Sequence, residues 1–353
     1  MSDFIKEVEK RRTFAIISHP DAGKTTLTEK FLLYGGAIQE AGMVKGKRQS
    51  KHAVSDWMEI EKQRGISVTS SVLQFNYDGF CINILDTPGH QDFSEDTYRT
   101  LMAADCAVMV IDASKGVEDQ TRKLFKVCTM RNIPIFTFIN KMDREAQDPY
   151  NLMEEIEQEL GIDTCPVNWP IGSGKQFKGV YERHDQEVIR FIPVDGGRKE
   201  VDTKIMKYDD PELINELDEE LYNKLQEDIE LLDMAGNDFD LEKVRQGKLS
   251  PVCFGSALTN FGIEPFLKHF LEMTTPPLPR STGEKTIDPF SEDFSAFVFK
   301  IQANMNKAHR DRMAFFRICS GKFTKGMEVY HYQGGRKIKL NQSKQLMADE
   351  RQE

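Results

Sequence analysis

An apolar run over residues 13–17 leads through SHPDAGKTT (residues 18–26) into a stretch with helical periodicity. A buried strand that enters a helix through a short loop of small residues limits the fold strongly. A strand that runs on into a helix favours a crossover connection within a mostly parallel sheet. The next 120 residues or so repeat the pattern, as the crossover rule leads one to expect. Candidate strands cover 68–77, 80–86, 106–112 and 133–139, and candidate helices begin near Lys24, Ser94, Val117 and Asp148. This alternation predicts an α/β fold with a mostly parallel sheet. The interval 35–66, rich in Gly, Lys and Gln, shows little periodicity, and loops of that length inside a domain are usually functional or mobile.

Residues 161–247 interrupt the alternation. They begin with β-like runs (167–171, 176–181, 188–193) and continue into a helical, acidic stretch, after which a buried-strand run (251–255) and a helix (262–273) resume the first pattern. The expected division is therefore a first domain of 1–160 and 248–275 with an α+β subdomain, 161–247, inserted before its last strand. A Pro-rich linker follows at 276–290. Short alternating strands from 291 to 353 read as the start of a β-barrel that is incomplete. The chain stops in LMADERQE without a turn or terminal strand, so a longer parent protein is expected.

Charge is informative only once located. The net charge is −10, yet residues 209–233 alone hold eleven Asp/Glu against Lys224. Residues 291–353 are net positive, at +5. A solvated helical face explains the acidic run, and a basic face remains open to nucleic acid because surface potential follows local charge. With 39% hydrophobic and 29% charged residues, the composition excludes a disordered chain. The longest apolar run, 103–113, is broken by Asp105 and Asp112 and is too short for a membrane helix. The six cysteines contain no CxxC pair, which favours small buried hydrophobes in a reducing cytoplasm over metal or redox work.

Four motifs stand at strand ends, where open α/β sheets bind ligands. The first is the phosphate loop Ser18, His19, Pro20, Asp21, Ala22, Gly23, Lys24, Thr25, Thr26, with Ser18 where the first Gly of GxxxxGK[ST] usually stands. Its backbone N–H groups suit phosphates, Lys24 bridges their charge, and the Thr25 hydroxyl suits Mg²⁺. The second is Asp86, Thr87, Pro88, Gly89, His90, where Asp86 can hold Mg²⁺ through water and the Gly89 N–H can sense a γ-phosphate. The third is Asn140, Lys141, Met142, Asp143. Asp143 can accept from the N1–H and 2-amino group of guanine, a donor pair that adenine lacks. The fourth, Gly255, Ser256, Ala257, brings a backbone N–H to the guanine O6. Each alone could be a turn; in this order they describe a GTP/GDP site. Ser67, in RGIS before the second strand, is a candidate third Mg²⁺ donor, the other reading being an ordinary strand entry.

SHPDAGKTT, RGIS, DTPGH and NKMD together resemble the translational GTPases, in the branch that carries His after DTPG and includes elongation factor G. The Ser in RGIS, SHPDAGKT and the segment 300–312 (KIQANMNKAHRDR) are similar to the bacterial class-II peptide-chain release factors; elongation factor G typically has Thr at position 67 and Ala at position 18. The resemblance implies a P-loop GTPase domain, an insertion like that of elongation factor G, and a translation-factor barrel. It also implies a cytoplasmic, monomeric GTPase that works on the ribosome, without DNA or membrane. Such a protein displaces class-I release factors after peptide release without reading stop codons. His90 would orient the attacking water, and with no arginine finger in the motifs, intrinsic hydrolysis would be slow and ribosome-stimulated. An elongation-factor-like or ribosome-protection role is the alternative; a GTP-dependent binding switch and a P-loop kinase are more distant ones.

Other features stay open. Asp21 suits either a monovalent cation or the helix dipole. The basic run 45–51 and residues 309–312 suit either ribosomal RNA or solvent. GSGK at 172–175 lacks a following Ser/Thr and reads as a turn, and Trp57, Met58 and Trp169 read as packing residues.

Overall fold

The computed structural model describes residues 2–38, 71–87, 94–192, 201–303, 312–341, 345–347 and 350–352. Helix α1 (Asp3–Glu9) precedes strand β1 (Arg11–Ser18), the phosphate loop and α2 (Lys24–Tyr34). Then come β2 (Ser71–Tyr77), β3 (Phe80–Asp86), α3 (Ser94–Leu101), β4 (Cys106–Asp112), α4 (Asp119–Met130), β5 (Ile135–Asn140) and α5 (Pro149–Leu160). Local signals set these boundaries. At α5 the Asp148 carboxylate accepts from the N–H groups of Tyr150 and Asn151, Pro149 occupies the first turn, and Gly161 closes the helix at φ 68°.

Strand β6 (Asp163–Pro166) and β11 (Leu249–Phe254) complete a seven-stranded sheet in the order β2-β3-β1-β4-β5-β11-β6. Within it, only β2 runs antiparallel to its neighbour. Both faces are covered, which is why β4 reads CAVMVID with every residue buried. Alternation within β1 shows the two layers. Phe14 and Ile16 join a core with Phe31, Phe136 and Phe270, while Ala15 and Ile17 face Met109, Ile111 and Leu124. The α/β expectation holds.

The interruption is a four-stranded antiparallel sheet of β7 (Asn168–Ile171), β8 (Gly179–Glu182), β9 (Glu187–Ile192) and β10 (Asp202–Lys207), followed by α6 (Leu213–Leu217), α7 (Glu219–Ala235) and α8 (Leu241–Arg245). Two expectations are corrected. The first four-residue strand past residue 160, β6, belongs to the central sheet, because it pairs in parallel with β11 over Leu249–Val252. Residues 174–176 form a 3₁₀ turn, so the strand expected over 176–181 begins only at Gly179; Gly172 before the turn and Gly174 within it hold positive φ, and the Gly174 N–H donates to the Met142 carbonyl. The acidic run is amphipathic: Leu225, Asp228, Ile229 and Leu232 of α7 are buried, and the Asp228 carboxylate accepts from Trp169 Nε1 at 3.0 Å.

Helix α9 (Ile263–Met273) returns to the sheet, and the linker carries a small hairpin, β12 (Arg280–Ser281) with β13 (Thr286–Ile287). Beyond it lie the pairs β14 (Ser295–Ala303) with β15 (Arg312–Ser320), β16 (Glu328–His331) with β17 (Arg336–Lys339), and β18 (Gln345–Met347) with β19 (Glu350–Gln352), the last of which corrects the expectation that LMADERQE holds no terminal strand. No described helix is long and apolar enough to cross a membrane. The six cysteines are free thiols, four of them buried.

Candidate nucleotide-binding site

Strand β1 delivers the chain to Ser18, which is buried and whose Oγ donates to the His19 carbonyl at 2.9 Å. The loop then bends through Asp21 (φ 66°) and Gly23 (φ 105°). Gly23 is required twice over, by its φ and by space: a Cβ there would lie 2.1 Å from Asn140 Nδ2. The N-cap of α2 is Gly23, which has no side chain, and the start of the helix sits at the positive end of its dipole, where backbone N–H groups suit an anion. Lys24 is buried, and its ammonium donates to the Thr87 carbonyl. Thr87 Oγ1 donates to the Ile16 carbonyl at 2.6 Å, which stitches the end of β3 to β1. Thr25 and Thr26 are half-buried on the first turn of α2, as are His19 and Pro20 before it, and Asp21 is exposed.

The second half of the site forms where β5 and β11 end. Asn140 Nδ2 donates to the Ala22 carbonyl at 2.8 Å, and Asn140 Oδ1 accepts from the Ala257 N–H at 2.8 Å. One buried carboxamide thus ties the phosphate loop to the loop after β11. Ser256 Oγ donates to Asp143 Oδ1 at 2.6 Å, and the Ser256 N–H donates to the Phe261 carbonyl at 2.8 Å. The Met142 N–H donates to the Gly255 carbonyl at 3.1 Å, and Met142 itself is buried. Asp143 therefore presents a half-buried carboxylate fixed on one oxygen by a hydroxyl, the arrangement that accepts two parallel donors.

Lys141 takes positive φ (72°) and places its ammonium 2.5 Å from Asp112 Oδ2 at the end of β4. Burial alone would raise the Asp112 pKa. The hydrogen bonds from Lys141 and Ser114 more than offset it and hold the carboxyl below its ordinary value. No motif singles out Asp112, although a carboxylate closing an apolar strand signals a buried partner. His19 Nε2 lies 3.5 Å from Glu118 Oε1, a contact with no local sequence signal.

The structure thus brings Ser18–Thr26, Thr87, Asn140–Asp143, Ser256 and Ala257 to one end of the sheet. Asp86 closes β3, with its side chain outside the described residues. Ser67, Pro88, Gly89 and His90, the basic run 45–51 and residues 309–311 also lie outside them.

The elongation factor Tu GTP-binding domain family matches residues 9–276, and elongation factor G domain 2 matches residues 293–353. A peptide chain release factor 3 from Symbiobacterium thermophilum is 60% identical over 352 residues, covering 100% of this chain and 67% of that protein. One from Cyanothece sp. is 58% identical over 346 residues, covering 98% of this chain and 64% of that protein. The chain thus spans about two thirds of the length of these relatives. A solved structure from Thermus thermophilus shares the fold at TM-score 0.74 and 23% identity, covering 98% of this chain and 50% of that one.

Proposed function

The chain belongs to the translational GTPases, in the family of peptide chain release factor 3, and from that premise we propose that it hydrolyses GTP on the ribosome to drive class-I release factors off after peptide release. One observation carries the nucleotide part. Asn140 joins the phosphate loop to the loop that holds Asp143 through Ser256, so base and phosphates are read as one unit. Guanine pairs its N1–H and 2-amino group with Asp143, and the N-terminus of α2 with Lys24 takes the phosphates.

The donors also suit Mg²⁺. Thr25, Ser67 and Asp86 offer hard oxygen ligands, and the ion would neutralise phosphate charge. His90 follows the strand end at Asp86 and orients the attacking water, a role for which catalysis by positioning is sufficient. The protein would act as a cytoplasmic monomer without stop-codon recognition. Its G domain comprises 1–160 and 248–275, completed at the sheet edge by β6 from the head of the insertion 161–247. The linker 276–290 and the barrel portion 291–353 come after it. The net-positive barrel portion is the face we assign to ribosomal RNA.

The test loads ribosomes with a fluorescent class-I release factor after peptide release, adds the protein with GTP, and follows loss of the label. GTP-dependent dissociation, together with hydrolysis faster with ribosomes than without, is the expected result. Ribosome-stimulated hydrolysis without dissociation would move the function to translocation or ribosome protection. Equal hydrolysis rates with and without ribosomes would remove the ribosome from the reading.

A further inference from the structure

Strand β11 ends one residue before the Gly255-Ser256-Ala257 loop, and its outer edge is only partly paired. β6 covers it from Leu249 to Val252, after which the Val167 N–H donates to the Val252 carbonyl at 2.8 Å and the chain leaves for the insertion. The N–H and C=O of Phe254, a fully buried residue, would be left facing apolar surroundings. Asn168, 1% exposed, supplies both partners: its Oδ1 accepts from the Phe254 N–H at 2.7 Å and its Nδ2 donates to the Phe254 carbonyl at 3.3 Å. A side-chain amide thus stands in for one more residue of edge strand.

Two further contacts come from the same subdomain. Phe261, whose carbonyl holds the Ser256 N–H, stacks on Phe191 of β9 with centroids 4.8 Å apart and planes 26° apart. The Met142 carbonyl, next to Asp143, accepts from the Gly174 N–H at 2.8 Å. The insertion therefore grips both loops of the Asp143–Ser256 pair from behind, whereas Asn140 holds the phosphate loop.

We infer that the inserted subdomain is the positioning scaffold for base recognition, with Asn168 a positioning residue that sets the Asp143–Ser256 pair and hence selectivity for a base bearing a 2-amino group. This rests on the guanine-nucleotide reading above. Asn168 touches no nucleotide; it acts through the backbone of Phe254, and Phe191 acts through Phe261. Removing either lets the loop after β11 shift together with Ser256, whose hydroxyl fixes one oxygen of Asp143, so the carboxylate leaves the geometry that accepts two parallel donors and discrimination for the 2-amino group falls.

Inosine diphosphate separates the two bonds, since hypoxanthine keeps N1–H and lacks the 2-amino group. Equilibrium binding of GDP, inosine diphosphate and ADP would be measured on the 353-residue chain and on Asn168→Ala and Phe191→Leu. The expected result is a GDP-over-inosine preference lower by about tenfold in Asn168→Ala, the size of one hydrogen bond to a charged group, and by less in Phe191→Leu. A variant that merely destabilises the fold weakens both ligands in proportion, so an unchanged preference overturns the inference whether or not affinity falls. If Asn168→Ala does not fold, Phe191→Leu, which keeps an apolar side chain, decides alone. Wild-type protein that does not prefer GDP to ADP would instead fail the guanine reading, and the inference would fall with it.

Discussion

Asn140 shows how much one short side chain settles when it is buried and its amide is paired on both sides. That amide reaches two loops separated by more than a hundred residues, and Gly23 is glycine because it passes so close. A second buried polar contact has a measurable pH signature. His269 on α9 places Nε2 3.1 Å from Glu182 Oε2 on β8, with Glu272 3.6 Å from its other nitrogen. The Glu182 carboxylate at this distance raises the His269 pKa above 6.5, against an opposing effect of burial, and Glu272 and Asp185 add to the rise. A folded-state pKa above the unfolded one means the stabilisation is complete below the unfolded value of 6.5 and is lost as pH climbs through the raised value. Urea denaturation of wild type and His269→Gln should therefore show a gap of about 1 kcal/mol near pH 6 that closes at alkaline pH. A gap independent of pH would mean that Glu182 does not hold a protonated imidazole.

At the scale of elements, the end of α3 is where the G domain meets the linker and the barrel portion. The Asp105 carboxylate accepts from Arg280 Nη2 (2.8 Å), the Leu278 N–H (3.1 Å) and Arg317 Nη2 (2.6 Å). The same two guanidiniums donate to the carbonyls of Met102, Ala103 and Ala104 just past the helix. One buried anion thus joins helix, linker and β15, and burial lowers the Arg280 pKa while Asp105 opposes the drop. Removing it leaves two cations largely shielded from water, so Asp105→Ala should cost about 3–5 kcal/mol by denaturant unfolding. A loss under about 1 kcal/mol would show that water replaces the carboxylate. In the sequence, Asp105 and Asp112 only interrupt an apolar run. That a charge there must be paired was legible; that the partners are Arg280, Arg317 and Lys141 was not, because pairing across so many residues is decided by which strands become neighbours.

For the molecule as a whole, the insertion does not hang from the sheet as a separate body. Trp169, Val180, Tyr181, Leu225 and Ile229 belong to the same continuous core as Met109, Ile111 and Ile139. Trp169 sits at the seam, packed on Phe254 and Tyr150 and hydrogen-bonded to Asp228. Unfolding of a Trp57→Phe variant, in which Trp169 is the remaining tryptophan, should give coincident midpoints by fluorescence and far-UV circular dichroism. An earlier fluorescence transition would show the insertion melting by itself. What the sequence determined alone was local or periodic: the crossover alternation, the glycine at 23, the caps of α5, and the motifs whose chemistry resides in the residues they contain. The tertiary structure decided the rest. It made β6 an edge strand of the central sheet, chose Lys141 for Asp112, and set Asn168 against Phe254. Each of these depends on a backbone edge or a charge meeting a partner far along the chain, and a partner's distance in sequence carries no local signal.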